Sequence, residues 1–266
     1  MPFAERPRFR ILYEIHGDPA SPPLLLVMGL GFSSGAWAGL PKRLAEQFRV
    51  ITFDNRGTGK SECPRGPFRT RDLADDAAAV LDAAGIESAY VFGISMGGMI
   101  ASELVLRHPK RVKSLVLAAT FAGYLRSTKP SLGSIVDLLV AALLPRPTGL
   151  SRLARLLVSD AYFDANPAAF ADWIRGTGAA SPRTAIRQML AVGLHGTEKR
   201  LESVNVPTLV LTGNADRLVP SKNSERLARL IPNAKLVELE GAGHCFAVER
   251  EDETVDVIVS HFLAVR

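Results

Sequence analysis

The chain has 266 residues, 47% of them hydrophobic and 22% charged, with 22 Gly and 17 Pro spread without a period. That composition excludes disordered and collagen-like classes, and the length suffices to bury one large core carrying an insertion. The formal charge of +5 invites a nucleic-acid reading, but +4 of it comes from residues 121–203, where ten basic side chains stand against six acidic ones; they are dispersed among Leu and Ala with no stacking aromatics, as on a solvated helix face.

In chain order, the N-terminal "MPFAERPRFR" is charged and lacks the apolar run that opens a secretory signal, so a cytoplasmic setting is expected. The runs "FRILYEI" (9–15), "LLLVM" (24–28), "RVITF" (49–53), "YVFGI" (90–94) and "SLVLAA" (114–119) read as strands. The middle ones are so uniformly apolar that both sheet faces must be covered. Between them lie helical stretches at Trp37–Phe48, Thr70–Ala84 and Met96–Arg107, the last stopped by Pro109. This is the alternation of a parallel α/β sheet.

The alternation stops at Phe121. Up to about Ser203 the pattern is helical and irregular, broken by Pro145, Pro147, Pro167 and Pro182. It then resumes with strand "PTLVLT" (207–212), helix Ser221–Leu230, strand "KLVEL" (235–239) and helix Glu249–Leu263. The expected organisation is one α/β core formed by 1–120 and 204–266, interrupted by a helical cap at 121–203. The apolar run Ile135–Leu144 contains Asp137 and falls well short of the ~20 residues of a membrane span, so no stable membrane insertion is expected. Two cysteines, Cys63 and Cys245, are too few for a disulfide framework and lack metal-ligand spacing.

The stretch "FDNRGTGKS" (53–61) ends in the letters of a phosphate-binding loop. The first glycine of such a loop falls on Asp54, which would place negative charge where phosphate must sit, and Pro64 and Pro67 prevent the helix that Lys60 would have to open. Nucleotide binding is not expected.

The chemistry lies in Gly93-Ile94-Ser95-Met96-Gly97, a G-x-S-x-G between a strand and a helix. A serine on so tight a turn adopts strained backbone angles, and neighbouring chain passes so close that positions 93 and 97 must lack side chains. A serine hydroxyl needs a base, and the base an orienting acid. Of five histidines, His244 in "GAGHCF" follows the last strand on a glycine-rich loop able to reach back across the sheet end; His16 sits in an N-terminal hairpin, His108 closes a helix, His195 lies in the insertion and His261 on the C-terminal helix. Asp216 in "GNADRLVP" follows strand 207–212 at the same sheet end, whereas Asp54 precedes the serine and reads as tying down its own turn. The oxyanion of an acyl-transfer intermediate needs backbone donors: Met96 N–H after the nucleophile and, from the loop after "LLLVM", Leu30 N–H between two glycines.

With "GISMGG", "FDNRGTGKS", "GNADRLVP" and "GAGH" in this order, the sequence resembles the α/β-hydrolase superfamily along essentially its whole length, in the esterase and enol-lactonase branch. The resemblance implies a mostly parallel eight-stranded sheet with helices on both faces, a helical cap over the site and no cofactor. Where many relatives have His-Gly, this chain has Met28-Gly29, which keeps the oxyanion amide and loses the histidine's supporting bonds. The implied activity is hydrolysis of a small hydrophobic ester or lactone through an acyl-enzyme on Ser95, with His244 and Asp216. The alternatives are hydrolysis of a carbon–carbon bond in a diketone by the same triad, a slow-turnover binding protein that keeps the triad, and interfacial lipid binding through 143–158. The amphipathic stretches "SIVDLLVAALL", "LSRLARLLV" and "IRQMLAVGL" offer apolar faces to wall a pocket between cap and core, or to fasten the one to the other. Sequence leaves the oligomeric state open.

Overall fold

Strands in which successive side chains alternate between two buried faces build the centre of the molecule. In a computed structural model describing residues 1–143, 148–178 and 180–265, Leu24 and Leu26 of β3 (Pro23–Val27) enter one apolar cluster, and Leu25 and Val27 enter another on the opposite face. This period of two explains why an uninterrupted Leu run serves as a strand. β4 (Arg49–Phe53), β5 (Ala89–Ile94), β6 (Val112–Ala118), β7 (Thr208–Gly213) and β8 (Lys235–Leu239) lie parallel to one another and to β3. β1 (Phe3–Arg6) and β2 (Phe9–His16) add antiparallel strands at one edge, giving the order β1-β2-β4-β3-β5-β6-β7-β8. The sheet is the mostly parallel eight-stranded one expected. β1 is invisible in sequence because "FAER" is too short and polar to show alternation; its pairing with β2 across Pro7-Arg8 makes it a strand.

One face of the sheet is covered by α2 (Thr70–Ala83), α3 (Met96–Arg107) and α9 (Lys222–Leu230), through residues such as Leu73, Leu81, Ile100, Leu104 and Leu227. The other is covered by α1 (Leu40–Leu44) and α11 (Glu251–Leu263), with Trp37 against Phe92 at 5.1 Å between ring centroids and Tyr90 stacked on Phe262 at 4.8 Å. Each such fully buried ring or Leu contributes about 1.5–3 kcal/mol. The expected helix Trp37–Phe48 is shorter: Ala38 at φ 50° ends a 3-10 turn at Ser34–Trp37, and α1 begins only at Leu40. The expected Glu249–Leu263 helix is likewise preceded by a separate turn, α10 (Phe246–Glu249), with Arg250 outside helical angles.

Between β6 and β7 the chain forms α4 (Leu132–Leu143), α5 (Thr148–Leu157), α6 (Asp160–Ala165), α7 (Pro167–Gly176) and α8 (Pro182–Gly193). Pro145 and Pro147 lie outside the described residues. Pro167 and Pro182 each occupy the first turn of a helix, where the missing N–H costs nothing. α8 differs from the amphipathic expectation: it buries Thr184, Gln188 and Ala191 and turns Ile186, Met189 and Leu190 outward.

Candidate active site

Ser95 stands between β5 and α3 at φ 58°, ψ −123°, a left-handed conformation for a residue with a Cβ. That conformation costs about 1–3 kcal/mol and persists only when surroundings enforce it. Ser95 N donates to Ala118 O at 2.8 Å, and Ser95 O accepts from Thr120 Oγ1 at 2.8 Å and Gly98 N at 3.0 Å. A Cβ at Gly93 would sit 2.3 Å from Gly97 O, and one at Gly97 would sit 1.9 Å from Val27 O. Both glycines are therefore required by close backbone, as the spacing predicts. The serine opens α3, whose N-terminal dipole favours developing negative charge.

Asp216 and His244 come from the loops after β7 and β8, at the same carboxyl edge. Asp216 Oδ1 accepts from Leu218 N and Val219 N, each at 2.8 Å, and Oδ2 lies 2.7 Å from His244 Nδ1. Both side chains are buried. With Nδ1 engaged by the carboxylate, Nε2 is the ring nitrogen left for proton transfer. The structure thus joins two of the three predicted side chains. The Ser95 hydroxyl makes no hydrogen bond to His244 among the described residues, a contact that in free enzymes often tightens only around substrate.

The segment after β3 lies against the serine: a Cβ at Gly29 would come 3.2 Å from Ser95 Cβ and 3.7 Å from its Oγ. Leu30 N has no hydrogen-bond partner among the described residues. Met28 O accepts from Asn55 Nδ2 at 2.8 Å, and Gly31 N donates to Gln188 Oε1 at 2.8 Å. Asn55 belongs to the "DNRGTG" turn, where Asp54 does tie down its own turn, accepting from Lys60 N at 2.9 Å and reaching Ser34 N at 2.8 Å as well. Lys60 opens no helix, the next one beginning only at Thr70.

The helical insert meets all three loops. Phe32, Trp173, Phe170, Leu157, Leu218 and Cys245 share one apolar cluster. Cys245 N donates to Leu157 O at 2.6 Å, and Glu249 gathers Gly243 N at 2.9 Å, Ser159 N at 3.1 Å and the Ser159 hydroxyl. Burial, with Asp216 and Glu249 nearby, pushes the Cys245 thiol well above its ordinary range, which suits a packing role beside His244 and not a nucleophilic one. The remaining histidines have their own surroundings. His108 pairs with Asp75 at 2.8 Å, and His261 contacts Ser114 at 2.9 Å. His195 lies buried between Thr70 (3.0 Å) and Thr197 (3.4 Å). Burial, reinforced by Arg200, lowers its pKa to about 3. His16 is on β2 near Glu14, 3.9 Å away. Among the described residues no group of His, Cys, Asp or Glu is arranged to hold a metal, and no helix is long and apolar enough to cross a membrane.

Asn55, Gln188 and Glu249 escaped sequence reasoning. Asn55 sits within a recognisable turn, but nothing local marks Gln188 or Glu249, which reach Gly31 and Ser159 across 157 and 90 residues of sequence.

A serine at a strand-to-helix elbow, on the carboxyl edge of a sheet of this strand order, defines the α/β hydrolases, and residues 22–251 match the model of the alpha/beta hydrolase fold family. The chain belongs to that family. It is 34% identical over 260 residues to the protein named "Putative carbamate hydrolase RutD" of Azorhizobium caulinodans, covering 95% of this chain and 94% of the relative. Among solved structures it is similar to the enol-lactonase of Burkholderia xenovorans LB400 (26% identity, TM-score 0.85, 98% of this chain and 100% of that one). It is also similar to a thermophilic esterase of Thermogutta terrifontis (25% identity, TM-score 0.80, 97% and 94%).

Proposed function

We propose that the protein is a serine hydrolase that cleaves a carboxylic ester or lactone of a small hydrophobic substrate through an acyl-enzyme. Ser95 Oγ attacks the carbonyl carbon while His244 Nε2 takes its proton; Asp216 holds the imidazole with Nδ1–H toward itself and stabilises the imidazolium. The oxyanion is received by the backbone N–H groups of Leu30 and Met96, each such donor worth about 3 kcal/mol in the transition state. The protonated His244 then gives its proton to the leaving alcohol, and water, activated by the same imidazole, releases the acid. The observation that carries this reading is the 2.7 Å contact of His244 with Asp216 at the sheet edge that also holds a serine in the left-handed elbow.

The names of the relatives, a carbamate hydrolase, an enol-lactonase and an esterase, support attack on an sp² acyl carbon as the shared step. The apolar cluster of Phe32, Trp173, Leu157 and Leu218 between insert and core supports a hydrophobic substrate and a cap role for the insert. A fluorophosphonate probe followed by peptide mapping tests the nucleophile, with Ser95 as the labelled residue; a panel of esters, lactones and carbamates of graded acyl length then ranks the leaving groups. Labelling elsewhere, or full activity in Ser95→Ala, overturns the reading.

A further inference from the structure

We propose that Gln188, carried by the helical insert, is a positioning residue for the oxyanion donor Leu30 N–H, an inference that rests on the serine-hydrolase reading above. The peptide carrying Leu30 N–H joins Gly29 to Leu30. The peptide before it is held by Asn55 Nδ2 on Met28 O, and the peptide after it by Gln188 Oε1 on Gly31 N, both at 2.8 Å. Two carboxamides, one from the core turn and one from α8, therefore grip the chain on either side of the donor. The far grip matters because Gly31, at φ 84°, is free to rotate in ways other residues are not. The insert adds further stitches: Ala180 N to Gly31 O at 2.8 Å, Ser33 N to Gly178 O at 3.0 Å and Gly178 N to Ser33 Oγ at 3.1 Å.

The orientation of α8 argues that this contact is more than packing. Gln188 is 0% exposed while Ile186, Met189 and Leu190 on the same helix are 56–59% exposed. Gln188 Nε2 is buried with no partner among the described residues. A buried amide making one bond and leaving its donor unpaired is a poor stabiliser. The arrangement sacrifices stability to place an acceptor opposite Gly31 N–H.

The test is Gln188→Met, close in volume and lacking the acceptor, compared with Gln188→Glu, which keeps an acceptor oxygen at the same length. The expected result for Gln188→Met is a fall in kcat of about 10- to 100-fold, below the full loss of an oxyanion donor, with KM within twofold, a melting temperature only modestly lowered by the stranded Gly31 N–H, and a parallel fall in the rate of fluorophosphonate inactivation. Gln188→Glu is expected to recover part of that kcat. An unchanged kcat, a loss confined to KM, a fall in kcat that merely tracks lost stability, or a Glu variant no better than Met overturns the assignment. If Gln188→Met does not fold, the kcat of Gln188→Glu decides alone: within tenfold of the parent it supports the role, and a larger loss overturns it. Ser95→Ala separates the two readings: active, it removes the serine mechanism itself; inactive beside an unimpaired Gln188→Met, it leaves the mechanism and removes only the role of Gln188.

Discussion

Asp216 divides its carboxylate between two tasks, Oδ1 fixing its own turn through Leu218 N and Val219 N and Oδ2 meeting His244 Nδ1 at 2.7 Å. In Asp216→Asn the amide oxygen is retained by the two backbone donors, so the NH₂ faces Nδ1 and forces the proton onto Nε2. That tautomer cannot accept the serine proton. The expected outcome is a loss of about 10⁴ in kcat with the fold intact, read from steady-state kinetics beside circular dichroism; a loss of less than tenfold would remove Asp216 from the mechanism.

Gly97 packs against the end of β3 and the residue after it. An added Cβ meets Val27 O at 1.9 Å and Met28 O at 2.9 Å, both backbone atoms that no rotamer change relieves. Gly97→Ala is expected to cost at least about 3 kcal/mol in urea denaturation and to abolish turnover. Gly193→Ala, at the end of α8 with nothing within 4 Å, is the control, expected to be neutral or up to about 1 kcal/mol stabilising.

Glu249 ties the residue before His244 to the helical insert. Glu249→Ala strands the N–H groups of Gly243 and Ser159 and the Ser159 hydroxyl. We expect about 1–3 kcal/mol of lost stability by chemical denaturation, together with a lower kcat as His244 loses its support. Unchanged stability would show that this carboxylate is dispensable.

His195 makes stability depend on acid. Its pKa is about 3 in the folded protein against 6.5 ordinarily, so below about pH 6.5 the unfolded chain binds a proton that the folded chain refuses. Its contribution is therefore complete above that pH and declines as the pH falls toward 3, by up to about 1.4 kcal/mol per unit. In His195→Gln the loss of unfolding free energy between pH 7 and 4.5 should be smaller than in the parent by about 2 kcal/mol. A residual slope is expected from His261, whose pKa burial also lowers; identical slopes in parent and variant would exclude the His195 contribution.

The central strands and the serine elbow were legible because both are local. A strand buried on two faces must be apolar throughout, and backbone that would lie within 2 Å of a Cβ at position 97 demands glycine whatever lies elsewhere. β1 and the break at Ala38 were not, since one depends on a partner strand and the other on a single left-handed residue.

The sequence by itself determined the alternation of strands and helices, the place where helices interrupt it, and which serine, histidine and aspartate come to one edge of the sheet, because strand period and glycine spacing are short-range constraints. Only the tertiary structure decided which face of α8 turns inward. Hydrophobic periodicity favours burying Ile186, Met189 and Leu190, yet the folded chain buries Gln188, whose acceptor meets the N–H of Gly31, a partner 157 residues away that no local pattern can reveal.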